Sequence, residues 1–419
     1  MSGIGGFRRT AAYAVALTAV AGIATGCSSS SSSSMSTIGG GTSAVSSLPT
    51  NFGPAEKTTL NVGVVPAMDS AGFFIALHDG LFAKEGLKIN YSPAVSSETA
   101  VAQQLKGQLD ITGGNYVSYI NEAAVDHQPI ELIAEGSIMQ QGAQTIFTMP
   151  NSNIKSLAQL KGHLVGVNAP GNIDYLLGVS VLQENGVSPK SVKFPTEPIP
   201  FPQMGSMLAS GKVNAAVLPE PFASQAEQEY GAVPLADLNQ GATSEFPIEG
   251  YVVTKQWAAD YPNTLKRFLA ALEVGQEISD TDRRAVEQAF ESLNGPQNGQ
   301  VTAGIAAVMA LDNYPIGLDA TRIQRVADVM FEFGILKTRF NVSNMLLPSS
   351  TFNFSQFSNS SSLQVWNRQV AEVAGAEAVH ARSSVRPTKP CGPACGSPSG
   401  KLLTPRALRQ PHAEGDSNN

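Results

Sequence analysis

The chain has few cysteines for its length. There are three in 419 residues, Cys27, Cys391 and Cys395, and all lie outside the stretch that reads as folded. No disulfide, thiolate nucleophile or cysteine metal site can therefore be placed in the body. The body's histidines, His78, His127 and His163, are widely spread. The patterns HExxH, GxSxG and GxxxxGK[ST] are absent, so no zincin, hydrolase-elbow or P-loop signature is present. Basic charge is also scarce: 27 Lys and Arg face 34 Asp and Glu, a net charge of −7. Six of the basic residues fall in the acid-free stretch from Arg382 to Arg409, and without it the balance is −7 − 6 = −13. An acidic body argues against nucleic acid as the main partner.

The N-terminal apolar run, Ala11 to Ala24, is too short to span a bilayer comfortably. With Arg8 and Arg9 ahead of it, it reads as an export signal over residues 1–27. The segment "ATGC" at its end resembles the lipobox of bacterial lipoproteins, although that pattern usually has a larger aliphatic at the place of Ala24. The resemblance implies cleavage before Cys27 and a lipid on it, hence a membrane attachment. An ordinary secreted signal, or a twin-arginine signal built on Arg8-Arg9, stays open. A serine run, Ser28 to Ser34, and Gly/Ser/Thr-rich sequence follow to residue 57. Such sequence buries little and reads as a flexible tether of roughly 30 Å reach.

At Thr58 the character changes. "TLNVGVV" is a continuous apolar run, as in a parallel strand covered on both faces. Phe73, Leu77 and Leu81 then recur at helical spacing, Gly86 reads as the helix stop, and "LKINY" resumes as a strand. The unit is βαβ. A hundred residues on it recurs: "LVGVNAP" from Leu164 repeats Val62-Gly63-Val64 as Val165-Gly166-Val167, followed by a helix and the strand "SVKF". "LKGQLDI" from Leu105 is matched by "LASGKVNAA" from Leu208, with Gly107 and Gly211 in register. Two lobes of one α/β design are expected. After a return strand, "GYVVTK", helices are expected over "NTLKRFLAALEVGQEI", "GIAAVMALDNY" and "DATRIQRVADVMFEFGIL", the last capped by Asp319. They should pack on the first lobe. Beyond Leu347 the sequence turns Ser/Asn-rich, with a short helix near Trp366, then a Pro/Gly/basic tail expected to be disordered.

"ALHDGLFAKEGLKI", "IKSLAQLKGHLVGV", "LASGKVNAAVLPEPFA" and "FGILKTRFNVSNML" resemble, in order and spacing, the substrate-binding proteins of ABC importers for nitrate, sulfonates, taurine and thiamine-precursor pyrimidines. The resemblance covers about Thr58 to Leu347. It implies the two-lobed type II periplasmic-binding-protein fold, with lobe 1 over 58–147 and 246–347, lobe 2 over 148–245, and a ligand cleft between them. It also implies a small-molecule ligand, a permease and its ATPase as partners, a monomer, no cofactor and no catalysis. The same fold includes a pyrimidine synthase of the thiamine pathway, but its cysteine-rich motif is missing here. A lipid-tethered sensor is the other alternative.

In open parallel sheets, ligands sit beyond the carboxyl ends of strands, at helix N-termini. The loops "PAMDSAGFF", "GGNY", "NAPGNID" and "LPEPF" occupy such places and should face one cleft. Asp69 and Ser70 are candidate contacts or caps of the first helix. Phe73 is core or a cleft wall. Asn115 and Tyr116 follow Gly113-Gly114, where backbone can approach a ligand. Ser137 follows the strand "IELIAEG". Gly171 and Asn172 open a helix and could offer N–H groups, or simply make a turn. Glu220 could bind an amine or satisfy the dipole of its own helix. Tyr251 sits near the return strand, in the cleft or at the hinge. Asp69 with Glu220 would suit an amine-bearing solute better than bare nitrate.

Overall fold

A computed structural model describes residues 52–352 apart from 294, 296 and 297. Cys27, Cys391, Cys395, Trp366, the export signal and the basic tail lie outside the described residues. The folded body begins earlier than the composition suggests. Residues 52–57, expected in the tether, are docked: Glu56 accepts from the N–H groups of Asn263 and Thr264, and Arg267 donates to the carbonyls of Phe52 and Gly53. Their composition misled because the segment is short and without periodicity, and is held by these hydrogen bonds together with the packing of Phe52 and Ala55 on the core. At the other end Phe352 packs against Phe52, ring centroids 6.2 Å apart.

Strand β1 (Thr59–Val64) leads through a single turn (Met68–Ser70) into α1 (Ala71–His78) and α2 (Leu81–Lys84), and returns as β2 (Lys88–Pro93). The helix expected to run to Gly86 is broken at Gly80, whose φ of 67° is left-handed. Then come α3 (Ser97–Leu105), β3 (Ile111–Asn115), α4 (Tyr116–Ala124) and β4 (Ile130–Ile138). The next stretch holds β5 (Gln144–Thr148), β6 (Val165–Gly166), α5 (Ile173–Glu184), α6 (Phe201–Ala209), β7 (Ala215–Pro219), α7 (Phe222–Tyr230) and β8 (Val233–Asp237). The chain returns as β9 (Pro247–Thr254) and ends in α8 (Lys255–Asp260), α9 (Pro262–Thr281), α10 (Arg283–Ser292), α11 (Ala303–Ala306) and α12 (Ala320–Glu332).

Two sheets result, ordered β2-β1-β3-β9-β4 and β6-β7-β5-β8. In the first, β1 runs parallel to β2 and β3, and β9 is antiparallel to β3 and β4. In the second, β6 is parallel to β7, and β5 is antiparallel to β7 and β8. The stretch "SVKF" forms no strand, but Lys193 bridges in parallel to Leu164 at the place β2 takes beside β1. The sheets therefore follow the same plan, with β6, β7, β5 and β8 standing where β1, β3, β9 and β4 stand. Gly107 and Gly211, the matched glycines of the repeat, both turn with left-handed φ, 72° and 73°.

The chain crosses from the first sheet to the second between β4 and β5 and returns between β8 and β9. The crossings lie side by side, Met139 N–H donating to Phe246 O at 2.8 Å and Leu238 N–H to Gln144 O at 3.0 Å. Because β5 belongs to the second sheet, the first crossing falls over 139–143, ahead of residue 147. α9 packs on α1 and α2, and α12 on α4, so the late helices cover the first sheet. Asp319 caps α12, accepting from Thr321 and Arg322. The helix expected over "GIAAVMALDNY" is one turn, α11, followed by a turn at 307–308 and irregular chain that bridges to β4 at Asn313. One apolar cluster joins Tyr116, Val117 and Val252 of the first sheet's layer to Ile146, Leu176 and Val217 of the second's, so the lobes are closed on each other.

Candidate ligand-binding cleft

The strand ends that should carry ligand contacts converge. Met68, after β1, donates its N–H to the carbonyl of Glu220, after β7, at 2.8 Å. Asn168, after β6, donates its side-chain amide to Val95, after β2, at 2.9 Å. Between these closures lies a cluster of buried acids, the acid chamber. Asp69, in the turn before α1, is 8 % exposed, and Glu249 on β9 and Asp312 are 1 % and 5 % exposed. The Ser70 hydroxyl donates to Val65 O at 3.3 Å and to a Glu249 carboxyl oxygen. Asp312 uses one oxygen, Oδ1, to accept from Gln140 N–H in the first crossing, at 3.3 Å. Tyr314 donates its hydroxyl to Met68 O at 3.0 Å.

Charge has been removed from water here without counter-charge. Burial pushes the Asp69 carboxyl well up, and the neighbouring Asp312 and Asp174 push it further. Burial raises Glu249 in the same way, with Asp69 the next cause. Burial lifts Asp312 to about 6. Asp69 and Asp312 thus titrate as a pair, the first proton leaving at the Asp312 value and the second held more firmly. Among the groups that act most strongly on the three, none is Lys or Arg. Arg322, whose guanidinium acts on Tyr116, is engaged by Glu135 at 2.9 and 3.0 Å. Among the described residues no group of His, Cys, Asp and Glu is arranged to hold a metal ion.

The chamber also leaves polar atoms idle. Ser137 Oγ, Tyr251 Oη, Gln144 Oε1, Tyr116 Oη and Asp312 Oδ2 are buried and have no hydrogen-bond partner of ordinary geometry. Ser137 stands opposite Glu249 across β4 and β9, and Gln144 lies against Asp69. Tyr116 faces Glu135 and Glu249. Buried polar groups normally find partners, and a cluster that lacks them fits a site completed by a ligand.

The expected residues divide accordingly. Asp69, Ser70, Ser137 and Tyr251 meet in the chamber, with Tyr116 at its edge. Ser70 and Asp69 make no capping bond to α1. Phe73 is packed among Phe74, Phe82, Tyr91 and Tyr251, with ring centroids 5.5 to 6.4 Å away, in the core. Asn115 caps α4 through Ser118 and donates to Ser97. Gly113 and Gly114 admit the Tyr251 ring and the Ser97 hydroxyl, where an added Cβ would stand 2.7 and 2.3 Å away. Gly171 makes a left-handed turn, φ 71°, and Asn172 caps α5. Glu220 accepts from Ser224 N–H, Ser224 Oγ and Ala310 N–H, so its carboxyl is occupied in structure, and burial lifts its pKa to about 7. The acids beside Asp69 are Asp312, Glu249 and Asp174 instead. Glu249 could have been suspected as a charge inside an apolar strand. Asp312 carries no local signal, because its chamber partner is 243 residues away in sequence.

With this geometry in place, the comparisons are informative. A model of the NMT1-like family matches residues 53–293, more than half of the chain. The chain belongs to that family. A protein of Haemophilus influenzae named for thiamine biosynthesis is 26% identical over 314 residues, 67% of this chain and 88% of that one. The alkanesulfonate-binding protein SsuA of Xanthomonas axonopodis pv. citri, bound to MOPS, aligns with a TM-score of 0.58 at 16% identity, over 70% of this chain and 99% of that one. The nitrate-binding protein NrtA of Synechocystis PCC 6803 aligns with 0.61 at 16%, over 74% and 91%. The desulfurization enzyme DSZB aligns with 0.53 at 15%, over 72% and 99%. These likenesses establish the two-lobed periplasmic-binding-protein fold, and that fold serves an enzyme as well as binders.

Proposed function

We propose that the protein is an extracytoplasmic solute-binding lipoprotein. It is held at the membrane through Cys27 and delivers a small polar solute to an ABC permease and its ATPase. It acts by binding, as a monomer and without a cofactor. The solute carries a protonated or strongly hydrogen-bond-donating nitrogen, as an aminopyrimidine or a taurine-like zwitterion does. The single observation behind this is the set of three buried carboxyls, Asp69, Glu249 and Asp312, with no cation among their strongest neighbours. A bare anion finds no cation there and is repelled by any of the three that ionises, whereas a donor nitrogen replaces the protons they otherwise hold. Asp69, Ser70, Ser137, Tyr116 and Tyr251 are the contacts assigned from the expected set, and Glu249 and Asp312 are added. The cysteine-rich motif of the pyrimidine synthases has no counterpart within residues 52–352.

Calorimetry on the full chain tests the reading. Aminomethylpyrimidine and taurine should bind more tightly than methanesulfonate and nitrate, and Asp69→Asn should remove the preference. Tightest binding of nitrate or methanesulfonate would overturn it. Metabolic labelling with palmitate, lost in Cys27→Ser, tests the anchor.

A further inference from the structure

Residues 298–314, expected in large part as helix, form a strap that touches both lobes. Its first-lobe anchors are numerous. Tyr91 donates its hydroxyl to Asn298 at 2.8 Å. Arg283 at the start of α10 donates to the carbonyls of Ala306, Ala307 and Met309 at 3.2, 3.0 and 2.9 Å. Asn313 exchanges two backbone bonds with Ile138 on β4, and Tyr314 N–H donates to Asp280 on α9. Among the described residues its second-lobe hydrogen bonds are two, both on or beside α7, where Gly299 also lies against Phe222. Gln228 donates to Gly304 O at 3.1 Å, and Ala310 N–H donates to Glu220 Oε1 at 3.2 Å. Two residues after that latch, Asp312 enters the chamber. Its Oδ1 holds the crossing at Gln140, while its buried Oδ2 has no hydrogen-bond partner of ordinary geometry, with Asp69 and Ser137 the side chains beside the carboxyl.

We propose that this strap couples solute capture to closure of the lobes, with Asp312 touching the solute and Glu220 acting as the positioning residue that fastens the strap to the second lobe. The proposal rests on the acid-chamber reading above and deepens it. When a donor nitrogen engages Asp312 Oδ2, Asp312 is fixed at the crossing and Ala310 is held in reach of Glu220. Without the solute, Asp312 is held by Gln140 and the neighbouring Asp69, and the latch rests on the Ala310–Glu220 bond. The arrangement also explains why a carboxyl at the start of α7 is spent on the backbone of a distant loop.

The test uses the full chain with Cys27, Cys391 and Cys395 replaced by serine and spin labels at exposed Lys106 and Lys190, one on each lobe. Pulsed electron resonance reads the lobe separation. Calorimetry reads affinity for aminomethylpyrimidine, a cation, and hydroxymethylpyrimidine, its neutral isostere. Asp312→Asn is expected to weaken the cation by about tenfold or more, leave the neutral probe unchanged and abolish the shortening of the separation that the cation causes in the parent. Glu220→Gln is expected to weaken both probes by a similar factor and shift the distribution to longer separations. Gln228→Ala, on the exposed side of the latch, should do the same to a smaller extent, and it serves if Glu220→Gln fails to fold. Discrimination between the probes lost in Glu220→Gln would overturn the assignment, as would discrimination kept in Asp312→Asn while Asp69→Asn abolishes it. If Asp69→Asn changes neither affinity, the acid-chamber reading itself has failed.

Discussion

The Asn168 side-chain amide donates to Val95 O at 2.9 Å and to Ile199 O at 3.1 Å, joining a loop of the first sheet to two of the second. Asn168 is 2 % exposed and is held in turn by Asp174, which accepts its N–H at 2.9 Å. A single amide therefore ties a loop of one lobe to two of the other.

Asn168→Ala should open the molecule. Two carbonyls lose their donor, at a cost of about 1–3 kcal/mol charged to the closed form, because in the open form water reaches Val95 O. Small-angle scattering of the ligand-free variant should show a larger radius of gyration than the parent. An unchanged radius would mean that Asn168 shapes its own loop only.

Glu56 should matter although it lies before the first strand. Burial by itself would raise its pKa, but its hydrogen bonds from Thr264 and Asn263 outweigh this, and the carboxyl titrates below the usual value. It does the work of an N-cap for α9, which has no side-chain cap of its own. Glu56→Ala should cost about 1 kcal/mol in urea unfolding near neutral pH. A group with a lowered folded pKa contributes above its unfolded value of 4.5 and loses that contribution on acidification. The difference between parent and variant should therefore shrink toward zero at about pH 3. A gap that persists in acid would show that packing, not charge, is involved.

Much of this architecture was legible in the chain. The repeat of Val62-Gly63-Val64 at Val165, with the paired glycines 107 and 211, marks two sheets of one plan. Asp319 as a cap and the acid-poor apolar strands were equally plain. What was hidden is of two kinds. The docking of Glu56, Arg267 and the strap depends on hydrogen bonds to backbone, which any polar loop could make and which leave no periodicity. The chamber's acids come from three separated segments, so Asp312 looks like any loop acid until β4 pairs with its neighbour Asn313. Glu220 misled for a related reason: a carboxyl at a helix start suits a ligand and a latch alike.

Gly72 and Gly275 should prove sensitive where α1 crosses α9. A Cβ on Gly275 would stand 2.1 Å from Gly72 O, and one on Gly72 would meet Gln276 Oε1 at 1.8 Å. A backbone carbonyl inside a packed helix cannot yield as a side-chain tip can. Gly275→Ala should cost about 1–3 kcal/mol. Gly178→Ala, with nothing closer than 3.9 Å in the middle of α5, should gain up to about 1 kcal/mol from helix propensity. Denaturant unfolding of the two variants, shifting in opposite directions, checks the crossing.

The chamber predicts an unusual pH response. Asp312 has a folded pKa of about 6 against an ordinary 3.8, Asp174 about 7 against 3.8, and Glu220 about 7 against 4.5, each raised chiefly by burial. Asp69 and Glu249 move in the same direction. A raised folded pKa means that the folded form binds more protons than the unfolded one across the interval. The stability these groups contribute is complete below their unfolded values and is lost as pH rises through the folded ones. The ligand-free protein should therefore melt at a lower temperature at about pH 7.5 than at about pH 5. A cationic solute reverses the order, since it takes the place of the departing protons. Aminomethylpyrimidine should raise the midpoint more at the higher pH, and its binding should release protons, seen as a buffer-dependent calorimetric enthalpy. Asp69→Asn should flatten both dependences. A midpoint that climbs steadily from acid to neutral pH, unaltered by that substitution, would show that the three carboxyls are charged and paired in the folded chain.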